Sequence, residues 1–313
     1  MSNNLLEQEI ETISIRELKE LYQKGVNISE YLRNKYDVNN TPHVIEIAYD
    51  LQAGSYTADM EKLEIKKWRE NVGAELVNII RSLLPTPESI LEAGIGEGNQ
   101  LSVVLSQFQN TPVASYGFDI SWSRVAFARK WLNKQGNKNT TLFTGNLLNI
   151  PCADNAVDIV YTNQAIEPNR GNEESILKEL FRITKKYLIL IEPSYELAND
   201  EGKQRMNRYG YVTGLQETAV KLGFDVLEYR LCSYYFNPLN PTAVMIIQKK
   251  NVREISSSVL ADPLFKTPLY KKDNVLFSPD SLRVYPIVDG IPCLRIENGI
   301  IASKYELFKK SNK

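Results

Sequence analysis

Three glycines at alternate positions follow an acidic residue, and this is the part of the sequence best suited to chemistry. Residues 90–99 read Ile-Leu-Glu-Ala-Gly-Ile-Gly-Glu-Gly-Asn, so Glu92 stands two residues before Gly94, and Gly96 and Gly98 follow. Glycine has no Cβ, so the chain can turn sharply there and a ligand can approach the backbone closely. An apolar run before the motif and a helical apolar pattern after it predict a strand, a glycine turn and a helix, as in nucleotide-binding βα units.

A second acid lies at the spacing that such a unit requires. The segment from Pro112 ends in Asp119, about 20 residues beyond the glycine turn, where a carboxylate meets ribose hydroxyls. The alternative is that Asp119 is a turn or capping acid before a helix. A dinucleotide site needs glycines at the first, third and sixth positions, and the sixth position here is Asn99, which argues against a nicotinamide or flavin cofactor. A structural glycine turn without a ligand stays open as a further alternative.

The pattern Glu-x-Gly-x-Gly-x-Gly resembles motif I of the class I S-adenosylmethionine (SAM)-dependent methyltransferases. In that family the turn wraps the methionine part of SAM, and the acid works close to its ammonium group. Residues 150–161 resemble the segment that leads into the family's fourth strand, and residues 162–168 correspond to the segment that flanks the methyl group. The resemblance covers residues 71–250 and implies SAM as cofactor and S-adenosylhomocysteine (SAH) as product.

The resemblance also implies a set of cofactor-binding residues. Asn146 stands where the family often has an acid that accepts from the adenine amino group, and its side-chain oxygen can accept in the same way. In relatives of the fold an N-terminal segment covers the SAM pocket. Tyr49 and Tyr56 are therefore candidates to contact the sulfonium through cation–π or C–H···O interactions, with core packing as the alternative. The predicted cofactor-binding residues are Glu92, Gly94, Gly96, Gly98, Asp119, Ile120, Asn146, Leu147, Asn163, Tyr49 and Tyr56.

Two residues are candidates for taking a proton from the acceptor. Glu167 follows the predicted fourth strand, and His43 is the only histidine of the chain. A carboxylate or an imidazole can act as a general base, although Glu167 as a loop acid and His43 as a packed or surface residue are the alternatives. In-line positioning beside an already activated sulfonium can supply most of the acceleration, so a base is not required.

The polar segment after the predicted fifth strand is rich in tyrosine and arginine. Ligands of doubly wound sheets bind beyond the carboxyl ends of the strands, so this segment is expected near a hydroxylated or anionic acceptor. A solvated loop that contains a helix is the alternative. The predicted substrate-binding residues are Gln164, Tyr195, Arg205, Arg208, Tyr209 and Tyr211.

Strands that alternate with helices predict an α/β fold. We expect a doubly wound, Rossmann-like, seven-stranded methyltransferase sheet, with N-terminal helices and a small C-terminal β-rich domain. The runs Val226–Leu231 and Ala243–Ile247 would form its antiparallel end, and a helix is predicted over Glu174–Lys186. The predicted segments are an N-terminal helical cap over residues 1–70, a SAM-dependent methyltransferase domain over 71–250 and an accessory domain over 251–313.

The C-terminal segment resembles a second family. The stretch from Tyr285 to Pro292 is similar to the small zinc-ribbon proteins typified by the activating partner subunit of several RNA and protein methyltransferases. The two Cys-x-x-Cys pairs of that family fall at Asp262/Phe265 and Ser278/Ser281, so every cysteine ligand is lost. Structural zinc needs thiolate or imidazole ligands, and we therefore predict no metal. A cis-acting module and a dimerisation patch, which would make a homodimer, remain alternative roles.

Composition narrows the functional class. The chain has 313 residues and a formal net charge of −1, with acids and bases interspersed, which argues against a dedicated nucleic-acid binder. The three cysteines are far apart in sequence, which indicates no disulfide framework and suits a reducing cytoplasm. No apolar run reaches the roughly 18 residues of a membrane span. We predict a cytoplasmic protein without membrane insertion.

The expected function is SAM-dependent transfer of a methyl group to an oxygen or nitrogen of a small-molecule or sugar-type acceptor. Residues 40–56 resemble N-terminal segments of bacterial methyltransferases from surface-polysaccharide gene clusters, which suggests surface-glycan biosynthesis. Two alternatives remain. The first is an RNA or protein methyltransferase with a fused activator-like domain. The second is a non-catalytic binding module with the same fold, against which the intact glycine and acid motif argues.

Overall fold

The computed structural model describes residues 13–109, 112–250 and 258–309. The predicted boundary at residues 250 and 251 adjoins residues 251–257, which lie outside these ranges, as do the first twelve residues of the predicted cap. The helices are α1 (Ile15–Gln23), α2 (Ile28–Tyr36), α3 (Pro42–Leu51), α4 (Ser55–Asp59), α5 (Leu63–Leu83), α6 (Asn99–Ser106), α7 (Trp122–Lys134), α8 (Glu173–Ile183), α9 (Asp200–Tyr209), α10 (Leu215–Lys221) and α11 (Tyr305–Lys309).

Seven strands form the central sheet in the order β3-β2-β1-β4-β5-β7-β6. The strands β1 to β5 pair in parallel, whereas β7 runs antiparallel to both β5 and β6. The direction of winding reverses between β1 and β4, and ligands of such sheets bind at this switch point. The predicted doubly wound sheet with an antiparallel end is confirmed. The strands are β1 (Ser89–Ala93), β2 (Ala114–Asp119), β3 (Thr141–Thr144), β4 (Val157–Asn163), β5 (Thr184–Pro193), β6 (Asp225–Leu231) and β7 (Thr242–Gln248).

The central strands are buried on both faces because helices cover each side of the sheet. Ile90 and Ile159 pack on one face among apolar side chains of α5, α6 and α7. Leu91 and Val160, the next residues along the same strands, pack on the other face among side chains of α8 and α10. Successive side chains of a strand point to opposite faces, so near-continuous apolar strands are what a two-sided core requires.

The N-terminal helices form a small core of their own. Ser14 caps α1 by accepting from the backbone N of Glu17, and Asn27 and Thr41 cap α2 and α3 in the same way. Such caps satisfy amide groups that a helix cannot pair internally. The apolar faces of the three helices then pack together around Leu18, Ile28, Leu32, Val44, Ile47 and Ala48.

The helix predicted over Glu174–Lys186 is shorter than expected. It ends at Ile183, and Thr184 has extended backbone angles and starts β5. The sequence pattern misleads here because Lys185 and Lys186 look like the basic last turn of a helix. Instead their ammonium groups lie 3.2 and 3.4 Å from the buried carboxylate of Asp158, which favours placing them on a strand.

A small antiparallel sheet follows the central domain, in the order β11-β10-β9-β8, with β12 also paired to β10. It packs against β3, the edge of the central sheet: Cys293 forms a parallel bridge with Thr144, whose carbonyl accepts from the N of Leu294 at 3.2 Å. Covering an edge in this way removes a row of unpaired backbone groups. The strands are β8 (Tyr270–Lys272), β9 (Val275–Ser278), β10 (Arg283–Val288), β11 (Ile291–Pro292) and β12 (Ile300–Ile301).

The four positions predicted to correspond to zinc ligands are joined to one another by hydrogen bonds. The Asp262 carboxylate accepts from the N of Phe265 at 3.0 Å and from the Oγ of Ser281 at 2.5 Å. The Oγ of Ser278 accepts from the N of Ser281 at 3.2 Å. A carboxylate with several donors can stabilise a turn that a metal would otherwise hold. Within the described ranges, no group of three or more His, Cys, Asp or Glu side chains could hold a metal ion.

Across residues 13–109, 112–250 and 258–309, none of the helices combines the length and the apolar character that crossing a membrane demands.

Candidate functional site

The glycine turn joins β1 to α6 at the carboxyl edge of the sheet. Gly94, Gly96 and Gly98 have φ angles of 72°, 53° and 75°, which residues with a side chain rarely adopt. A Cβ on Gly94 would lie 2.3 Å from the Cβ of Ala165, which follows β4. Glycine is therefore required here both for the turn and for the close approach of the two loops at the switch point.

Asp119 closes the turn from the end of β2. One carboxylate oxygen accepts from the N of Gly96 at 2.9 Å and the other accepts from the N of Ser121 at 3.0 Å. Burial raises the pKa of this carboxyl, whereas Arg124 and the backbone donors oppose the rise. Asp119 therefore fixes the glycine turn and also begins the following helix, and it lines a cavity beside both.

Glu92 is buried behind the turn. Its Oε2 accepts from the hydroxyl of Tyr161 at 3.0 Å. Burial raises the pKa of the Glu92 carboxyl to about 8, although Tyr161 and the Arg69 guanidinium oppose this rise. The ionised form of a carboxyl buried in this way is stabilised by a positively charged ligand group nearby.

Arg69 and Arg124 place positive charge beside these carboxyls, and neither was predicted from the sequence. Burial lowers the pKa of Arg69, and its Nε has no hydrogen-bond partner among the described residues. Arg124 lies between the rings of Tyr49 and Tyr56, 4.6 and 4.3 Å from their centroids, and its buried Nη2 also lacks a partner there. The two tyrosines predicted to contact the sulfonium therefore stack on Arg124 in this structure.

Two adjoining cavities flank the glycine turn. Both are lined by Tyr49, Gly94, Arg124 and Gln164. Predicted site residues make up much of both walls. The first cavity is also lined by Asp119, Ile120, Asn146 and Leu147, and the second also by Tyr56, Glu92, Gly96, Asn163 and Glu167.

Asn146 and Asn163 have partners within the protein. The Oδ1 of Asn146 accepts from the N of Leu148 at 3.0 Å, so it shapes the turn after β3. The Nδ2 of Asn163 donates to the Oε1 of Gln100 at 3.4 Å, next to the second cavity. The amide of Asn146 lines the first cavity, while its oxygen that was predicted to meet adenine already accepts one hydrogen bond.

The segment α3–α4 lies over the cavities and is held by two carboxylates. Glu97, inside the glycine motif, accepts from the backbone N of Gly54, Tyr56 and Thr57 at 2.9, 3.2 and 2.6 Å, and also from the Thr57 hydroxyl. Asp50, at the end of α3, accepts from the Oγ of Ser121 at 2.7 Å and from the N of Ser123 at 3.2 Å. We call α3–α4, residues 42–59, the cover segment.

Glu167 lines the second cavity from the loop after β4. Burial and the nearby Glu192 raise the pKa of its carboxyl to about 8, whereas Asn240, Arg205 and Tyr211 oppose the rise. Its buried Oε2 has no hydrogen-bond partner among the described residues. This combination suits a group that receives a proton.

Glu192, at the end of β5, positions this loop and was not anticipated from the sequence. Its two oxygens accept from the N of Ala165 and of Ile166 at 3.0 and 3.1 Å. Burial raises the pKa of the Glu192 carboxyl to about 7. The preceding Gln164 has a φ of 55°, and it lines both cavities from this strained position.

The other predicted residues divide between the interior and the surface. Arg205 lies 4.9 and 5.6 Å from the ring centroids of Tyr209 and Tyr211. Arg208 is exposed and pairs with Glu30 at 2.9 Å. The Tyr195 hydroxyl accepts from Asn207 at 3.4 Å.

His43 lies on the first turn of α3, with Nδ1 3.7 Å from the Glu46 carboxylate. It does not line either of the two cavities, so the structure separates it from Glu167.

Comparison with known proteins agrees with this geometry. Residues 90–187, from β1 into β5, match the family described as a methyltransferase domain. The predicted resemblance of the C-terminal segment to zinc-ribbon activators stays a prediction.

Solved structures show the same fold. Magnesium protoporphyrin IX methyltransferase (ChlM) from Synechocystis PCC 6803 with bound SAH is 13% identical, with a TM-score of 0.53 over 67% of this chain and 100% of that chain. The same enzyme with bound SAM is 13% identical, with a TM-score of 0.51 over 68% and 100%. A structure described as the complex between the Haloferax volcanii Trm112 methyltransferase activator and the putative methyltransferase is 15% identical, with a TM-score of 0.48 over 64% of this chain and 96% of that chain.

Proposed function

We propose that this protein is a SAM-dependent methyltransferase. The observation that carries the proposal is the pair of cavities around the glycine turn, bordered by the buried carboxyls of Glu92 and Asp119 and by the unpartnered Nε of Arg69. A buried donor without a partner costs free energy, so its position indicates where a ligand oxygen belongs. A site with two carboxyls and a guanidinium whose Nε has no partner among the described residues suits a ligand that carries both an amine and a carboxylate.

The residues present fit SAM group by group. Glu92 would hold the ammonium and Arg69 the carboxylate of the methionine part, in the second cavity. Asp119 would face the ribose hydroxyls, and Ile120 and Leu147 would supply apolar contacts to adenine in the first cavity. When bound, SAM supplies a methyl group activated by a positively charged sulfur.

The chain itself would contribute position, shielding and a proton acceptor. The cover segment is fastened to the glycine turn by Glu97 and to α7 by Asp50, so it would exclude water from the cavities. Glu167 would receive the acceptor's proton at Oε2, which faces no partner within the described residues. Glu192 would keep the loop of Glu167 in place through its two backbone hydrogen bonds.

We further propose a small-molecule or sugar-type acceptor that is methylated on oxygen or nitrogen. Support comes from the buried position of Glu167 beneath the cover segment, which favours an acceptor small enough to enter. The net charge of −1 also gives no long-range attraction for RNA. A role in surface-glycan biosynthesis rests on the N-terminal sequence resemblance.

The experiment is transfer of label from methyl-labelled SAM to three fractions of one cell extract: small metabolites with nucleotide sugars, RNA, and protein. We expect label in the small-metabolite fraction, and its loss with the Asp119→Ala variant. Label only in RNA or protein would favour the macromolecular methyltransferase. No label in any fraction would favour the non-catalytic binding module.

A further inference from the structure

Arginine side chains cluster around α9, and most of them are used within the protein. Arg33 donates to the carbonyl of Arg208 at 3.0 Å, and Arg170 donates to the carbonyl of Tyr211 at 2.6 Å. Arg208 itself pairs with Glu30. These three guanidinium groups hold α9 and the chain after it against the rest of the protein.

Arg205 differs from the others. Its Nη1 is buried and has no hydrogen-bond partner among the described residues. Its guanidinium lies beside the rings of Tyr209 and Tyr211. Stacking on aromatic rings fixes a guanidinium while leaving its in-plane N–H groups available for an oxyanion.

Arg205 also lies close to Glu167. Its positive charge acts on the Glu167 carboxyl, and Tyr211 lies next to both side chains. Asn240 contacts the Glu167 carboxyl, and its buried Oδ1 likewise lacks a partner in the described ranges. Three neighbouring side chains thus each have one buried polar atom without a hydrogen-bond partner among the described residues: a guanidinium donor, a carboxyl oxygen and an amide oxygen.

We propose that the acceptor carries an anionic group, a carboxylate or a phosphate, that pairs with Arg205 and thereby holds a neighbouring hydroxyl against Glu167. This inference rests on the proposed methyltransferase function and narrows its acceptor to hydroxylated anions. The planar guanidinium can donate hydrogen bonds to either a carboxylate or a phosphate, and the carboxyl oxygen can accept a hydrogen bond from a hydroxyl.

The transfer balances with these groups alone. The acceptor oxygen forms a bond to the methyl carbon while the bond from that carbon to sulfur breaks, and the electron pair of that bond stays on sulfur. The sulfonium becomes the neutral thioether of SAH. The hydroxyl proton passes to the Glu167 carboxylate and then to water, so the product is a methyl ether that keeps its anionic group.

The test is calorimetric titration of the SAH-saturated full-length protein with inorganic phosphate and, separately, with acetate. Sodium chloride at equal ionic strength is the blank. The variants are Arg205→Gln and Arg205→Lys. The matched control is Arg81→Gln, which also removes one arginine, but one whose guanidinium donates to the carbonyl of Gln107 at 2.7 Å.

We expect one saturable oxyanion site in the millimolar range, about tenfold weaker in Arg205→Gln, as for loss of a charged hydrogen bond, and unchanged in Arg81→Gln. Arg205→Lys should fall between. The stronger of the two probes tells whether the natural group is a phosphate or a carboxylate. Absence of saturable binding, or equal binding by Arg205→Gln, would overturn the inference. Failure to bind SAH at all would instead overturn the proposed methyltransferase function.

Discussion

Three buried carboxyls define the site at the scale of single residues. Burial raises the pKa of Glu92 to about 8, of Glu167 to about 8 and of Glu192 to about 7. Their local roles differ, since Glu92 accepts from Tyr161, Glu192 fastens a loop, and Glu167 keeps an unpartnered oxygen. Carboxyls held in this way are destabilising when ionised without a counter-charge, and they cluster where a protein binds or transforms a ligand.

Because the pKa of Glu167 is raised, the free energy of unfolding falls as the pH rises. Between its ordinary value of 4.5 and about 8 the folded protein binds more protons at this group than the unfolded chain does. The stability that this protonated carboxyl contributes is fully present below pH 4.5 and is lost as the pH rises through about 8. The charged groups that act on the Glu167 carboxyl are Glu192 and Arg205, and the tyrosines next to it are Tyr211 and Tyr49.

We therefore predict that Glu167→Gln, which cannot ionise, loses less stability than the wild type as the pH rises. Between about pH 6 and pH 9 the difference should reach about 2 kcal/mol. Urea unfolding at both pH values measures it. Glu174→Gln, at an exposed position paired with Lys178, is the control and should follow the wild type. Parallel pH profiles for wild type and Glu167→Gln would show that Glu167 does not carry this proton.

At the scale of elements, the cover segment is joined to the cofactor turn by one carboxylate. Glu97 accepts the first amides of α4, which a helix leaves unpaired, and its negative charge lies at the helix N-terminus. The same residue stands between two glycines of the motif. Glu97 therefore joins the glycine turn directly to the cover segment.

Glu97→Gln should loosen the cover segment without unfolding the sheet. Glutamine keeps the shape but has one acceptor oxygen and no charge, so we expect hydrogen exchange at Gly54, Tyr56 and Thr57 to accelerate about tenfold. Amide exchange read by mass spectrometry tests this, with Glu61→Gln, exposed after α4, as control. Unchanged protection at these amides would mean that other contacts hold the segment.

Local sequence pattern predicts the elements well and their mutual contacts poorly. The glycine turn, Asp119 and the alternating strands and helices can be read from short spacings, because each spacing fixes a local conformation. Arg69 and Arg124 carry no such signal, since their places depend on how α5 and α7 pack over the sheet. The sequence shows Glu192 only as an acidic residue at the end of a strand. Its contact with the loop after β4 depends on the pairing of β5 with β4.

At the scale of the whole molecule, two additions flank the central seven-stranded sheet. The N-terminal helices cover the cavities, and the C-terminal sheet covers the β3 edge through Cys293 and Leu294. Buried Arg295, in the C-terminal segment, also pairs with Glu46 of α3. The C-terminal segment therefore contacts the cover segment as well as the edge of the central sheet, and its role stays a prediction.

The central claim is that the two cavities bind SAM, and calorimetric titration with SAH tests it most directly. We predict one site per chain with micromolar affinity. Asp119→Ala should weaken binding by about 1–3 kcal/mol, because ligand hydroxyls lose their acceptor and the N of Gly96 loses its partner. Absence of binding up to millimolar SAH by a protein whose circular dichroism shows it folded would contradict the account.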